Sequence, residues 1–130
     1  MNDCTENKMA NKILIVDDAK TIRQQVNFTL TKGGFEVIEA EDGVDGIEKL
    51  KANKDVKVII SDINMPNMGG IEMVTAINTS NDLPHPPILM LTTEGAAEIV
   101  AEAKKAGASG WITKPFKPEV LIEAVKRLVG

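Results

Sequence analysis

The chain has 130 residues, enough for one domain with a core of its own. Apolar residues make up 43% and charged residues 26%, as in an ordinary globular protein, and a net charge of −4 argues against a nucleic-acid or membrane footprint. No apolar run approaches the roughly 20 residues that span a bilayer, and three Phe, one Trp and no Tyr make a poor stacking surface for single-stranded nucleic acid.

Residues 1–11 are polar and lack an apolar signal-peptide segment, so they read as a short flexible tail. Cys4, the only cysteine, cannot form an internal disulfide, which fits a reducing, cytoplasmic setting. Lys12 to Asp17 is a short apolar run of buried-strand type that ends in Asp17 and Asp18. From Ala19 the spacing turns helical, with Ile22, Val26 and Leu30 four apart, until Gly33-Gly34 stops it. Phe35 to Ala40 is a second strand and Glu41-Asp42-Gly43 a turn. Val44, Ile47 and Leu50 mark a second helix ending near Asn53. Val56 to Asp62 is a third strand, an apolar, β-branched run that stops abruptly in a carboxylate.

A polar, Pro- and Gly-containing loop follows, and Gly69-Gly70 precedes a third helix with Ile71, Val74 and Ile77 on one face. Ser80 to Pro87 is a Pro-rich loop that leaves His85, the only histidine, solvated. Ile88 to Leu91 is a fourth strand, and a fourth helix with a thin stripe of Ile99, Val100 and Ala103 runs to about Ala106. Ala108 to Thr113 holds a fifth strand. After Lys114-Pro115-Phe116, Pro118 suits the first turn of a fifth helix with Leu121, Ala124, Val125 and Leu128 on one face. Strands alternating with amphipathic helices predict an α/β fold, a doubly wound parallel sheet covered on both faces. The pattern fills residues 12–130 and leaves no room for a second domain.

In a parallel sheet the strand ends share one edge, where ligands of open α/β folds bind. That edge gathers Asp17 and Asp18, then Asp62, Thr92 and Lys114. Singly, each has a plain alternative: Asp or Thr as a helix cap, Lys as a solvated charge. Together they make a site. Three carboxylates in one pocket repel unless neutralised, and a hard cation such as Mg²⁺ does so through oxygen ligands. Metal, lysine and hydroxyl suit phosphoryl transfer, with Asp62 as the nucleophile.

Four motifs then follow in order: Val16-Asp17-Asp18, Ser61-Asp62-Ile63-Asn64-Met65-Pro66-Asn67-Met68-Gly69-Gly70, Leu91-Thr92-Thr93-Glu94, and Ala106 through Trp111 to Phe116. On them the chain resembles the receiver domains of two-component response regulators, and among these the chemotaxis, CheY-like group. The resemblance implies a (βα)5 flavodoxin-like fold with strand order 2-1-3-4-5. It implies that Asp62 accepts a phosphoryl group from a CheA-like histidine kinase. Asp18, Asp62 and the backbone carbonyl of Asn64 would bind Mg²⁺ directly, and Asp17 through water. Thr92 and Lys114 would each hold a phosphoryl oxygen, and the Lys114-Pro115 bond would be cis. Thr92 and Trp111 would form the switch, changing the face of the fourth helix, fifth strand and fifth helix for a protein partner. Asn64 and Glu94 would tune dephosphorylation.

The implied protein is a monomeric signalling module that binds no nucleic acid or membrane and turns over no external product. A separate phosphatase is a further partner of the family. Trp111 stands where the family usually has Tyr or Phe. Gly95-Ala96-Ala97 stands where members that bind the flagellar motor switch protein carry lysines, and Ile63 where they often carry Trp. The last two departures weaken the case for motor binding and leave open a phosphate sink with no output partner. Two other classes fit less well. An aspartyl-phosphate phosphatase wants a second acid where Asn64 stands. A flavin carrier wants a Ser/Thr/Gly-rich phosphate loop where Asp17-Asp18 would repel the phosphate.

Overall fold

The computed structural model describes residues 11–93 and 97–130. Five strands alternate with five helices: β1 (Lys12–Val16), α1 (Lys20–Lys32), β2 (Glu36–Ala40), α2 (Gly43–Ala52), β3 (Val56–Ser61), α3 (Gly70–Thr79), β4 (Ile88–Thr92), α4 (Ala97–Ala106), β5 (Gly110–Thr113) and α5 (Pro118–Val129). All strand pairs are parallel, in the order β2-β1-β3-β4-β5. Strand order and fold class are those expected.

The period of two along a strand explains the core. Ile13 and Ile15 point to one face of the sheet and Leu14 and Val16 to the other. On the first face they meet Val58, Ile60 and Leu91, with Val26 and Leu30 of α1 and Leu121 and Val125 of α5. On the second they meet Ile59 and Met90, with Leu50 of α2, Met73, Val74 and Ile77 of α3, and Ala103 of α4. The near-continuous apolar strands are thus those of a sheet covered on both sides. Each fully buried Ile or Leu contributes on the order of 1.5–3 kcal/mol. His85 is exposed in its loop as expected, with ring Nε2 2.9 Å from the Ser80 carbonyl oxygen.

Several boundaries move, each for a local reason. The second strand starts at Glu36, because Phe35 closes the end of α1: its N–H donates to the Leu30 carbonyl (3.0 Å) beside Gly34 at φ 94°. The fifth strand starts at Gly110, because Ala108 closes α4 in the same way, donating to the Ala103 carbonyl (2.9 Å) beside Gly107 at φ 120°. In both cases the helix end takes a residue that hydropathy alone lends to the strand. The fourth strand extends one residue further, to Thr92. Val44 does not share the inward face of α2. It is exposed, and that helix buries Gly43, Gly46 and Leu50 instead.

Candidate functional site

The register builds the site. Val16 pairs with Ser61, so the next residues, Asp17 and Asp62, leave adjacent strands side by side, and the Asp62 N–H donates to the Val16 carbonyl at 3.0 Å. They lie at the carboxyl edge between β1 and β3, where the strand order reverses. On the other side Thr92 pairs with Thr113, so Lys114 follows directly, its N–H on the Thr92 carbonyl at 2.7 Å. Lys114 starts two strands from Asp62, roughly 9.6 Å in sheet spacing, a span a lysine can cover. Its Nζ lies 3.0 Å from Asp17 Oδ2 and 3.6 Å from Asp62 Oδ2. The Lys114-Pro115 bond is cis.

Asp17, Asp18 and Asp62 each offer an oxygen within 4.8 Å of the others, running from buried Asp17 to exposed Asp18. The Asp17 side chain is 0% exposed, Lys114 12% and Asp62 14%. The lysine is therefore no solvated charge. Burial pushes the Asp62 carboxyl above its ordinary value. The Asp17 carboxylate adds to the rise, while the Lys114 ammonium and the Ile63 N–H, 2.8 Å from Asp62 Oδ1, oppose it. A cation would relieve that repulsion. The donor set is entirely hard oxygen, so this cluster suits a hard divalent metal ion.

Local structure aims each group. Asp17 does serve partly as a turn residue, since its Oδ1 accepts the Ala19 N–H (2.9 Å) ahead of α1, but its other oxygen faces Lys114. Gly70 opens α3 against the Asp62 carbonyl, and any Cβ there would collide with that oxygen. Ser61 Oγ donates to the same carbonyl at 2.8 Å. Met65 and Met68 pack their side chains against the core below the loop, and Asn64 is exposed. Thr92 is buried at the end of β4. Trp111, paired with Met90, is 41% exposed, and Lys104 Nζ sits 4.7 Å from its ring centroid. Glu94 lies outside the described residues.

Two supporting contacts carry little signal in the sequence. Arg23 Nη1 donates to the Asp17 carbonyl at 2.6 Å while its Nε pairs with Glu39 at 3.1 Å, fixing the turn after β1 from behind. Asp42 reaches across to Asn67 at 2.8 Å. Only its cap spacing to Asp45 shows in the sequence.

Residues 13–126 match the response regulator receiver domain family. The chain belongs to that family. The receiver is 46% identical to chemotaxis protein CheY1 of Helicobacter pylori strain J99 over 120 residues, 92% of this chain and 97% of the relative. It is 44% identical to a chemotaxis protein CheY homolog of Campylobacter jejuni, covering 92% of each chain. Among solved structures it is similar to the chemotaxis response regulator CheY4 of Vibrio cholerae, with TM-score 0.85 and 44% identity over 92% of this chain and 99% of that one. It is therefore a CheY-like receiver, chemotaxis-related by kinship. Among its described residues no helix is long and apolar enough to cross a membrane.

Proposed function

We propose that this receiver is a cytoplasmic phosphorylation switch, one domain over residues 12–130, whose phosphoacceptor is Asp62. The observation that carries the proposal is the convergence of Asp17, Asp18 and Asp62 oxygens within 4.8 Å, with one ammonium between Asp17 and Asp62. Asp18, Asp62 and the Asn64 carbonyl would hold Mg²⁺, with Asp17 behind them. The ion supplies positive charge to neutralise the pocket and the transferred phosphoryl oxygens.

The donor is a phosphohistidine of a CheA-like kinase. A carboxylate oxygen of Asp62 attacks phosphorus, a P–O bond forms as the P–N bond breaks, and the imidazole leaves with the bonding pair and takes a proton from solvent. Lys114, already held by Asp17, swings its ammonium toward the incoming phosphoryl oxygens. The Thr92 hydroxyl donates to another of them. The exposed Trp111 ring follows Thr92 inward, which changes the α4-β5-α5 face and selects a conformer for a protein partner. Asn64 and Glu94 tune how fast water removes the phosphate and so set the lifetime. The domain acts as a monomer on its own phosphorylation and turns over no external product. Its output partner is a signalling protein or a motor switch protein, and where none exists the domain drains phosphate.

The test is intact mass after incubation with Mg²⁺ and acetyl phosphate. Wild type gains one phosphate transiently and Asp62→Asn does not. A wild-type chain that never gains it, with acetyl phosphate or with a kinase, ends the proposal.

A further inference from the structure

Outside the acidic pocket, one polar network ties two distant turns together. Asp42, buried after β2, uses both carboxylate oxygens: Oδ1 accepts the Asp45 N–H at 2.8 Å, capping α2, and Oδ2 accepts the Asn67 side-chain amide at 2.8 Å. Asn67 has φ 64°, among the described residues the only one other than glycine on that side of the map, and the Met68 N–H reaches back over it to the Pro66 carbonyl at 2.6 Å. That is a γ-turn of the left-handed, strained kind, which persists only where its surroundings hold it. The neighbouring residue holds it too. The Gly43 N–H donates to the Met68 carbonyl at 3.0 Å, and a Cβ on Gly43 would lie 2.6 Å from Met68 Cγ.

This γ-turn belongs to the loop that begins at Asp62 and carries Asn64. Its far end is fixed by the Gly70 N–H on the Ile63 carbonyl at 2.9 Å. The stretch from Asn64 to Met68 lies in no strand or helix; Met65 and Met68 pack against the core beneath it, and the Asp42–Gly43 turn adds the polar hold on its backbone. The geometry points to Asp42 as a positioning residue for the metal site: its bond to Asn67 sets where the Asn64 backbone stands relative to Asp62. The inference rests on Asp62, Asp18 and the Asn64 carbonyl holding Mg²⁺. Partners that orient metal ligands typically account for 10–100-fold in metal affinity, and the low end applies here because a single ligand of the set is backbone on this loop.

The test is Mg²⁺ titration of the full chain by calorimetry, with thermal unfolding in EDTA alongside. Asp42→Ser keeps an oxygen for the Asp45 N–H, since Ser and Asp cap comparably, but is too short for Asn67. It should unfold within a few degrees of wild type in EDTA and bind Mg²⁺ about tenfold more weakly. Asn67→Asp sets two carboxylates against each other and weakens binding similarly. Adding Asp42→Asn restores a donor–acceptor pair and should recover affinity to within about twofold. Variants that bind like wild type, or a double variant that does not recover, overturn the inference alone. A wild-type chain as silent toward Mg²⁺ as Asp62→Asn overturns the metal site itself, and the positioning role with it.

Discussion

Replacing Lys114 by Met should unmask how much strain the carboxylate pocket holds without metal. Met keeps the length and apolar stem of the lysine and removes only the ammonium. Asp17, with a side chain 0% exposed, then loses its 3.0 Å cationic partner, and Asp62 loses the same charge at 3.6 Å. Breaking a buried pair from one side costs about 3–5 kcal/mol, because the surviving charge stays buried. Asp17 keeps the Ala19 N–H, which places the expected loss near the lower limit, about 3 kcal/mol. Unfolding entropy of about 2.1 cal/mol/K per residue converts this, for 130 residues, to a Tm lower by roughly 11 °C in EDTA. At the proposed metal site saturating Mg²⁺ would replace the missing positive charge, so the gap should narrow. Urea and thermal unfolding, each with EDTA and with Mg²⁺, measure both effects. Lys12→Met is the comparator: its pair with Asp55 is exposed, so little should change. A Lys114→Met protein within about 1 kcal/mol of wild type in EDTA, or a gap untouched by Mg²⁺, would refute the reasoning.

Three further outcomes test other links. Asp62 is raised in the folded state, so between its unfolded and folded pKa values the native protein binds more protons than the unfolded chain. In EDTA its contribution therefore falls as pH rises through that window, from the ordinary carboxylate range upward, and the wild-type minus Asp62→Asn difference in stability should decline with pH; a rising difference contradicts the pocket electrostatics. Ile59→Ala, at a fully buried site, should cost about 2–5 kcal/mol in urea melts with an unchanged slope, and a cost under about 1 kcal/mol would place that side chain outside the core. Lys104 stacks on the outward Trp111 ring, a contact worth about 0.5–1 kcal/mol. Lys104→Met should thus shift the midpoint of the Trp111 fluorescence change with beryllofluoride and Mg²⁺ about two- to fivefold lower, and an unmoved midpoint removes the contact from the switch.

Much of the molecule is legible in the sequence. Apolar runs such as Val58-Ile59-Ile60 declare buried strands, and Ile22, Val26 and Leu30 declare a helix face, because period and hydropathy are local properties. Parallel topology then sends the strand ends to one edge, so strand order along the chain is enough to group Asp17, Asp62, Thr92 and Lys114. Boundaries are less legible. Phe35 and Ala108 look like strand residues, yet each spends its N–H closing a helix around a glycine at positive φ.

Tertiary structure decided how these groups meet, because the deciding contacts join residues far apart in the chain. Lys114 and Asp17 are 97 residues apart, and the sequence cannot say that the lysine rests closer to Asp17 than to Asp62. Asp42 and Asn67 are 25 apart, and each alone reads as an ordinary turn residue. The sequence by itself determined a parallel α/β sheet with an acidic edge, since those follow from period and strand ends. Packing and register decided which carboxylate the ammonium holds, that Trp111 stands outward under Lys104, and what steadies the loop behind Asp62, since side-chain reach exists only once the backbone is in place.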